Sequence, residues 1–154
     1  MFNKLFKKKT TVVYSPVSGK VIQLSEVDDD VFSSEMMGIG FAVQPESNTL
    51  VSPIDGVIES VFPTKHALMI KGDKGIEVLV HIGVDTVELN GKGFEILVEP
   101  GEKVAAQQKI ANIDFDTIKV AGKGIEVMVI FPNLDKIKKE VFNLSNEGEI
   151  IAEL

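Results

Sequence analysis

The chain has 154 residues, 44% hydrophobic and 25% charged, which is enough for one domain with one sizeable core. The absence of cysteine excludes a disulfide framework, a thiolate zinc site and a cysteine nucleophile. A net charge of −7, with every basic side chain a lysine, argues against nucleic acid as the main partner. It also removes the planar arginine fork that commonly holds phosphate.

Residues 1–12 read as a flexible basic segment ahead of a single domain spanning 13–154. Lys4, Lys7, Lys8 and Lys9 are interleaved with Phe2, Leu5 and Phe6. No apolar stretch of ~7–15 residues follows, so this is not a signal peptide. It reads as a frayed, solvated terminus or, through residues 1–9, as a weak amphipathic contact with an anionic membrane surface. Nothing in the chain approaches the ~18 consecutive apolar residues of a membrane span.

From there the sequence predicts short strands at Thr10–Pro16, Gly19–Leu24, Gly40–Gln44, Thr49–Ser52 and Gly56–Phe62, each flanked by turn residues. Ala67–Lys71, Ile76–Ile82, Glu95–Glu99, Lys103–Ile113, Ile118–Val120 and Ile125–Phe131 continue the series. Thirteen glycines and six prolines punctuate them at the spacing of a sandwich. Asn133–Phe142, with Leu134, Ile137 and Val141 at spacings of three and four, is the one helical candidate of any length. Ser33–Met37 has room for a single turn. The fold class is all-β, an antiparallel β-sandwich with little helix.

Two internal echoes stand out. Ser15-Pro16-Val17-Ser18-Gly19 recurs as Ser52-Pro53-Ile54-Asp55-Gly56, which looks like one turn used twice. Lys74-Gly75-Ile76-Glu77-Val78-Leu79-Val80 recurs as Lys123-Gly124-Ile125-Glu126-Val127-Met128-Val129. The next residue is His81 in the first copy and Ile130 in the second, so a scaffold of this kind does not itself require the histidine.

His66 and His81 are the chain's two histidines. A hairpin folded symmetrically about Gly72-Asp73-Lys74-Gly75 would set Lys71 against Ile76, Leu68 against Leu79 and His66 against His81. Opposed residues share a face, with Cβ atoms ~4.5–5.5 Å apart. The same construction on the second copy opposes Phe115 and Ile130. Three readings of the histidine pair are open: buried structural residues, metal ligands, or a nucleophile with a helper. A catalytic zinc site needs about three protein ligands. Glu77 is too far along its strand, and Asp85 would have to swing back. No nucleophile elbow surrounds any serine, and no phosphate-binding glycine loop is present.

Gly75-Ile76-Glu77-Val78-Leu79-Val80-His81-Ile82-Gly83-Val84-Asp85-Thr86-Val87 resembles the active-site signature of the glucose-family enzyme IIA component of the bacterial phosphoenolpyruvate-dependent sugar phosphotransferase system. Thr64-Lys65-His66-Ala67, Ser52-Pro53-Ile54-Asp55-Gly56 and Glu88-Leu89-Asn90-Gly91-Lys92-Gly93-Phe94 agree with it. The similarity runs from about Val13 to the C-terminus. It implies a cytoplasmic phosphocarrier that takes a phosphoryl group from the histidine phosphocarrier protein onto His81. The group then passes to a cysteine on the IIB domain of a sugar permease, with no cofactor and no metal. By the same resemblance His66 supports the transferred group and Thr64 orients His66. Phe32, Met36, Met37, Phe62, Leu79 and Val87 align with an apolar docking face, and Asp29 and Asp85 with its acidic rim. Ile39 stands where relatives commonly carry an aspartate. The rival reading is a non-catalytic regulatory or binding module acting through the same apolar face.

Overall fold

The computed structural model describes residues 11–137, 139–140 and 150–154. Its strands are β1 (Val12–Tyr14), β2 (Gly19–Gln23), β3 (Ile39–Pro45), β4 (Thr49–Val51), β5 (Gly56–Val61), β6 (Ala67–Lys71) and β7 (Glu77–Val84). They continue as β8 (Phe94–Ile96), β9 (Lys103–Val104), β10 (Lys109–Ile113), β11 (Gly124–Phe131), β12 (Lys139–Glu140) and β13 (Ile150–Glu153). Two short helices interrupt them, α1 (Asp30–Ser33) and α2 (Phe115–Val120). Among the described residues every strand pairing is antiparallel.

A seven-stranded sheet in the order β2-β3-β11-β7-β6-β5-β9 faces two three-stranded sheets, β1-β13-β12 and β4-β10-β8. The main core fills the space between them. Period-two alternation assigns the inward residues: Val78, Val80 and Ile82 of β7, Val127, Val129 and Phe131 of β11, and Leu68 and Ile70 of β6. The residues between them point to the sheet's outer face, where Ile22, Ala42, Ala67, Leu79, Met128 and Ile130 form a second apolar cluster. Leu24, Val27 and Phe32 cover part of that face from the segment after β2. An antiparallel sheet usually leaves one face to solvent; here the outer face is apolar, and the candidate site lies on it.

The repeated Ser-Pro turn is one structure used twice. Ser15 Oγ donates to the Val17 carbonyl at 2.6 Å, and Ser52 Oγ donates to the Ile54 carbonyl at 2.7 Å. Both serines are buried, and the local bond satisfies a hydroxyl that would otherwise be costly to bury.

Five expectations are corrected. The β6–β7 hairpin turns through three residues, Asp73–Gly75, closed by the Gly72 amide on the Ile76 carbonyl at 2.8 Å. Lys74 and Gly75 both take left-handed backbone angles (φ 60° and 74°) within this loop. The register is therefore one residue off the symmetric one: Lys71 pairs with Glu77, Met69 with Leu79, and His81 with Ala67.

Residues 118–120 are helical, not extended. Asp114 caps α2, accepting from the Thr117 amide at 3.1 Å, and this local bond outweighs the β-branched composition. Phe115, now on α2, does not oppose Ile130, which pairs with Leu79. The strand expected over Lys103–Ile113 is broken at Ala105–Gln108, where Gln107 is left-handed and its amide bonds the Ser52 carbonyl at 2.7 Å.

The helix expected over Asn133–Phe142 is also replaced within its described part. After Pro132, Asn133 braces the hairpin loop, its Nδ2 donating to the Gly75 carbonyl at 2.9 Å and its Oδ1 accepting from the Glu77 amide at 3.2 Å. Leu134 and Ile137 pack on the main core from irregular chain, and residues 139–140 are strand. Residues 138, 141 and 142 lie outside the described residues, as does the basic segment through residue 10. Among the described residues no helix is long and apolar enough to cross a membrane.

Candidate active site

His81 lies on β7 between two inward residues, so alternation alone turns its ring to the outer face. Gly83 follows two residues later with φ 79°, a conformation that side chains rarely adopt. That turn brings the Gly83 carbonyl to 2.8 Å from His81 Nδ1. A carbonyl can only accept, so Nδ1 carries the ring proton and Nε2 keeps its lone pair. A Cβ on Gly83 would sit 2.5 Å from Thr86 Cγ2 and 2.7 Å from the Gly124 carbonyl oxygen, which excludes any other residue without a backbone shift.

His66 arrives by a different route. In the observed register it stands beside Ile82, whose amide donates to the His66 carbonyl at 2.7 Å. Regular alternation would turn its ring into the core. It lies one residue before β6, however, after Lys65 in a left-handed conformation (φ 61°). The irregular turn carries the ring to the outer face, where it meets His81 with centroids 5.0 Å apart and planes at 75°. The shared face expected for the two histidines is present, but a bend in the backbone creates it. Thr64, in the same turn, has its Oγ1 2.6 Å from His66 Nδ1.

Two phenylalanines close the flanks. The Phe32 ring lies 4.7 Å from that of His81, tilted by 58°, and Phe62 meets His66 edge-on at 5.5 Å. Asp29 caps α1, accepting from the Val31 and Phe32 amides at 3.0 and 3.2 Å, and so fixes the turn that carries Phe32.

The remaining candidates divide by exposure. Met36, Met37 and Val87 are open to solvent, as an apolar rim requires, and Asp85 is exposed at the start of the 3-10 turn Thr86–Leu89. Leu79 differs from a rim residue: at 3% exposure it belongs to the floor, beside Met128 and Ile130. Phe32 is likewise buried, and it borders the site through its ring contact with His81.

Burial, reinforced by the neighbouring His66, pushes His81 down to about 4, against upward pulls from the Gly83 carbonyl and Asp29. His66 is lowered by burial alone. Both imidazoles are neutral near pH 7, and His81 presents an unprotonated Nε2. Among the described residues no group of three or more histidine, aspartate or glutamate side chains is placed to hold a metal ion. Sequence reasoning assigned no role to Gly83 or Thr86. A glycine two residues after a strand histidine was the available signal for the first.

The sequence profile of the phosphoenolpyruvate-dependent sugar phosphotransferase system EIIA 1 family matches residues 11–137. A glucose-specific EIIA component of Staphylococcus epidermidis is 42% identical over 141 residues, covering 88% of this chain and 85% of that protein. A glucose-specific EIICBA component of Streptococcus pneumoniae is 46% identical over 147 residues, covering 96% of this chain and 20% of that longer protein. The solved structure of glucose permease IIA from Mycoplasma capricolum superposes with a TM-score of 0.90 at 36% identity, covering 95% of this chain and 96% of that one. With this match over most of its length, the chain belongs to the EIIA 1 family of the phosphoenolpyruvate-dependent sugar phosphotransferase system.

Proposed function

We propose that the chain carries a phosphoryl group on His81 Nε2, taking it from the histidine phosphocarrier protein and giving it to a cysteine of a permease IIB domain. The observation that carries this reading is the hydrogen bond from His81 Nδ1 to the Gly83 carbonyl, which leaves Nε2 as the nucleophile at neutral pH. In the first step a P–N bond forms at Nε2 as the donor's P–N bond breaks, and the donor histidine, protonated on its other ring nitrogen, leaves as a neutral ring. In the second step a thiolate forms a P–S bond as the His81 P–N bond breaks. The proton stays on Nδ1, donated in a hydrogen bond to the Gly83 carbonyl, throughout.

His66 supports the transferred group. With the Thr64 hydroxyl donating to Nδ1, the His66 proton lies on Nε2, where it can donate to a phosphoryl oxygen. Such a donor matters in a chain without arginine. Positioning and charge stabilisation suffice for this chemistry, since no nucleotide is cleaved.

The exposed Met36, Met37 and Val87, with Asp29 and Asp85, form the docking face for both partners. Methionine adapts its shape to more than one partner, and the charges steer transient encounters. The Streptococcus pneumoniae relative, named as an EIICBA component, supports an IIB-type acceptor. The names of the relatives make glucose the first sugar to test, and we infer that the carrier works in the cytoplasm.

The test is incubation with phosphoenolpyruvate, enzyme I and the histidine phosphocarrier protein, followed by intact mass under non-acidic conditions. The expected result is one acid-labile phosphoryl group, absent in His81→Ala. A phosphoryl group retained in His81→Ala would move the site, and none on the unmodified chain would favour a binding module.

A further inference from the structure

The side chain of Thr86 is fully buried, 0% exposed, and is one of the few buried polar groups in the described residues. Its Oγ1 donates to the Ile82 carbonyl at 2.5 Å, reaching back four residues across the turn that follows His81. Its Cγ2 is the nearest atom to the position a Cβ would take on Gly83. One side chain thus grips the peptide on the N-terminal side of Gly83 and fills the space over its α-carbon. The strand bends here: Gly83 has φ 79° and Asp85 φ 61°, so regular pairing does not fix where the Gly83 carbonyl points. In β11 the pairing with β7 is irregular over the same stretch, between Gly124 and Val127.

A neutral imidazole in water mostly carries its proton on Nε2, the wrong nitrogen for a nucleophile at that position. The hydrogen bond made by the other nitrogen decides between the two forms. We propose that Thr86 is a positioning residue: by tying down the Ile82–Gly83 peptide it aims the Gly83 carbonyl at His81 Nδ1 and so holds His81 in its nucleophilic tautomer. The inference rests on the reading of His81 as phosphoryl carrier and names a further residue on which that site depends. Thr86 itself touches neither the ring nor the transferred group. The arrangement matches a recurrent logic in which an outer hydrogen-bonding group sets the ring state of the histidine that does the chemistry.

The experiment uses full-length, 15N-labelled protein without phosphate, with histidine ring nitrogens read by long-range 15N–1H correlation. The unmodified chain should show His81 as a single Nδ1–H tautomer. Thr86→Val keeps the shape and removes the hydroxyl; it should bring in the Nε2–H form at His81 while leaving the His66 ring signals in place. Thr86→Ser keeps the hydroxyl and should restore the single tautomer. Phosphoryl acceptance should fall in turnover in Thr86→Val, with an unchanged half-saturating donor concentration. A pure Nδ1–H tautomer in Thr86→Val would overturn the proposal. Loss of that tautomer in Thr86→Ser would overturn the role given to the hydroxyl. If Thr86→Val does not fold, Thr86→Ala carries the same comparison, with the same opposite outcomes. The ring readout needs no phosphate, so failure of the carrier reading would show separately, as an unmodified chain that takes up no phosphoryl group.

Discussion

Val80 and Val129 face each other across β7 and β11, and each closes one copy of the repeated Lys-Gly-Ile-Glu-Val-x-Val segment. The two copies run antiparallel side by side about a local twofold axis through that pair. His81 stands opposite Met128, and its counterpart Ile130 stands opposite Leu79, all on the outer face. One half of a symmetric pair of strands therefore carries the histidine, and the other supplies its floor.

Exchanging the counterpart should not create a second site. Ile130 is 0% exposed, so Ile130→His would bury an imidazole among apolar side chains with no glycine carbonyl two residues on. The expected result is a loss of about 2 kcal/mol or more, read by denaturant unfolding, with no additional phosphoryl group.

Removing the helper should separate the two transfers. His66→Gln keeps the nucleophile and its tautomer, so the chain should still accept a phosphoryl group. Onward transfer should slow by about 10²–10³, the usual cost of taking one donor out of place at a developing charge, since a glutamine N–H remains but not at the position of the Thr64-held ring. Single-turnover transfer to the IIB domain measures it, and a normal rate would remove His66 from the mechanism.

The depressed histidine couples pH to both activity and stability. Between the ordinary value of 6.5 and about 4, the unfolded chain binds a proton at His81 that the folded chain does not. Folded stability should therefore fall as pH drops through this window and level off below it, by a few kcal/mol at most. Phosphoryl acceptance should hold down to about pH 5 and then fall as Nε2 protonates. In His66→Gln the titration of His81 should move upward, because a neighbouring positive charge is gone. Histidine ring chemical shifts against pH check both statements.

Gly83→Ala meets Thr86 Cγ2 and the Gly124 carbonyl oxygen at 2.5 and 2.7 Å in a left-handed conformation. A cost of about 2 kcal/mol or more is expected, with a shifted carbonyl and a mixed His81 tautomer. Thermal unfolding and the ring 15N signals measure the two effects on one sample.

Phe32→Ala and Met36→Ala should differ in kind. Phe32 is 6% exposed against His81, so its loss should cost about 3 kcal/mol and raise the His81 titration by admitting water. Met36 is 75% exposed, and its loss should leave unfolding unchanged while weakening donor binding. Unfolding curves beside a donor titration separate the pair.

Where the sequence was legible, one short-range rule decided the outcome. Strict alternation in Val78–Ile82 sets the face of His81, and the Ser-Pro turns recur because one local hydroxyl–carbonyl bond makes each of them. Where a reading failed, two local rules competed. Asp114 with Thr117 is a helix start hidden in a β-branched run. Leu134 and Ile137 have helical spacing, but tertiary packing spends it on irregular chain. The histidine pair was legible as a pair, and its register was not. A three-residue loop slips β6 by one position against β7, and the left-handed Lys65 then swings His66 back to the correct side. No periodicity in the sequence records two departures that cancel.

The bond from His81 Nδ1 to Gly83 has a kinetic consequence. With one nitrogen engaged by the backbone, the ring has a single usable lone pair for loading and unloading alike. On the carrier reading, the two half-reactions must then alternate in ping-pong order, with no ternary complex of donor, carrier and acceptor. Spent donor lingering on the loaded carrier would obstruct discharge. Steady-state velocities plotted against both partners should give parallel double-reciprocal lines, with inhibition at high concentrations of unphosphorylated donor.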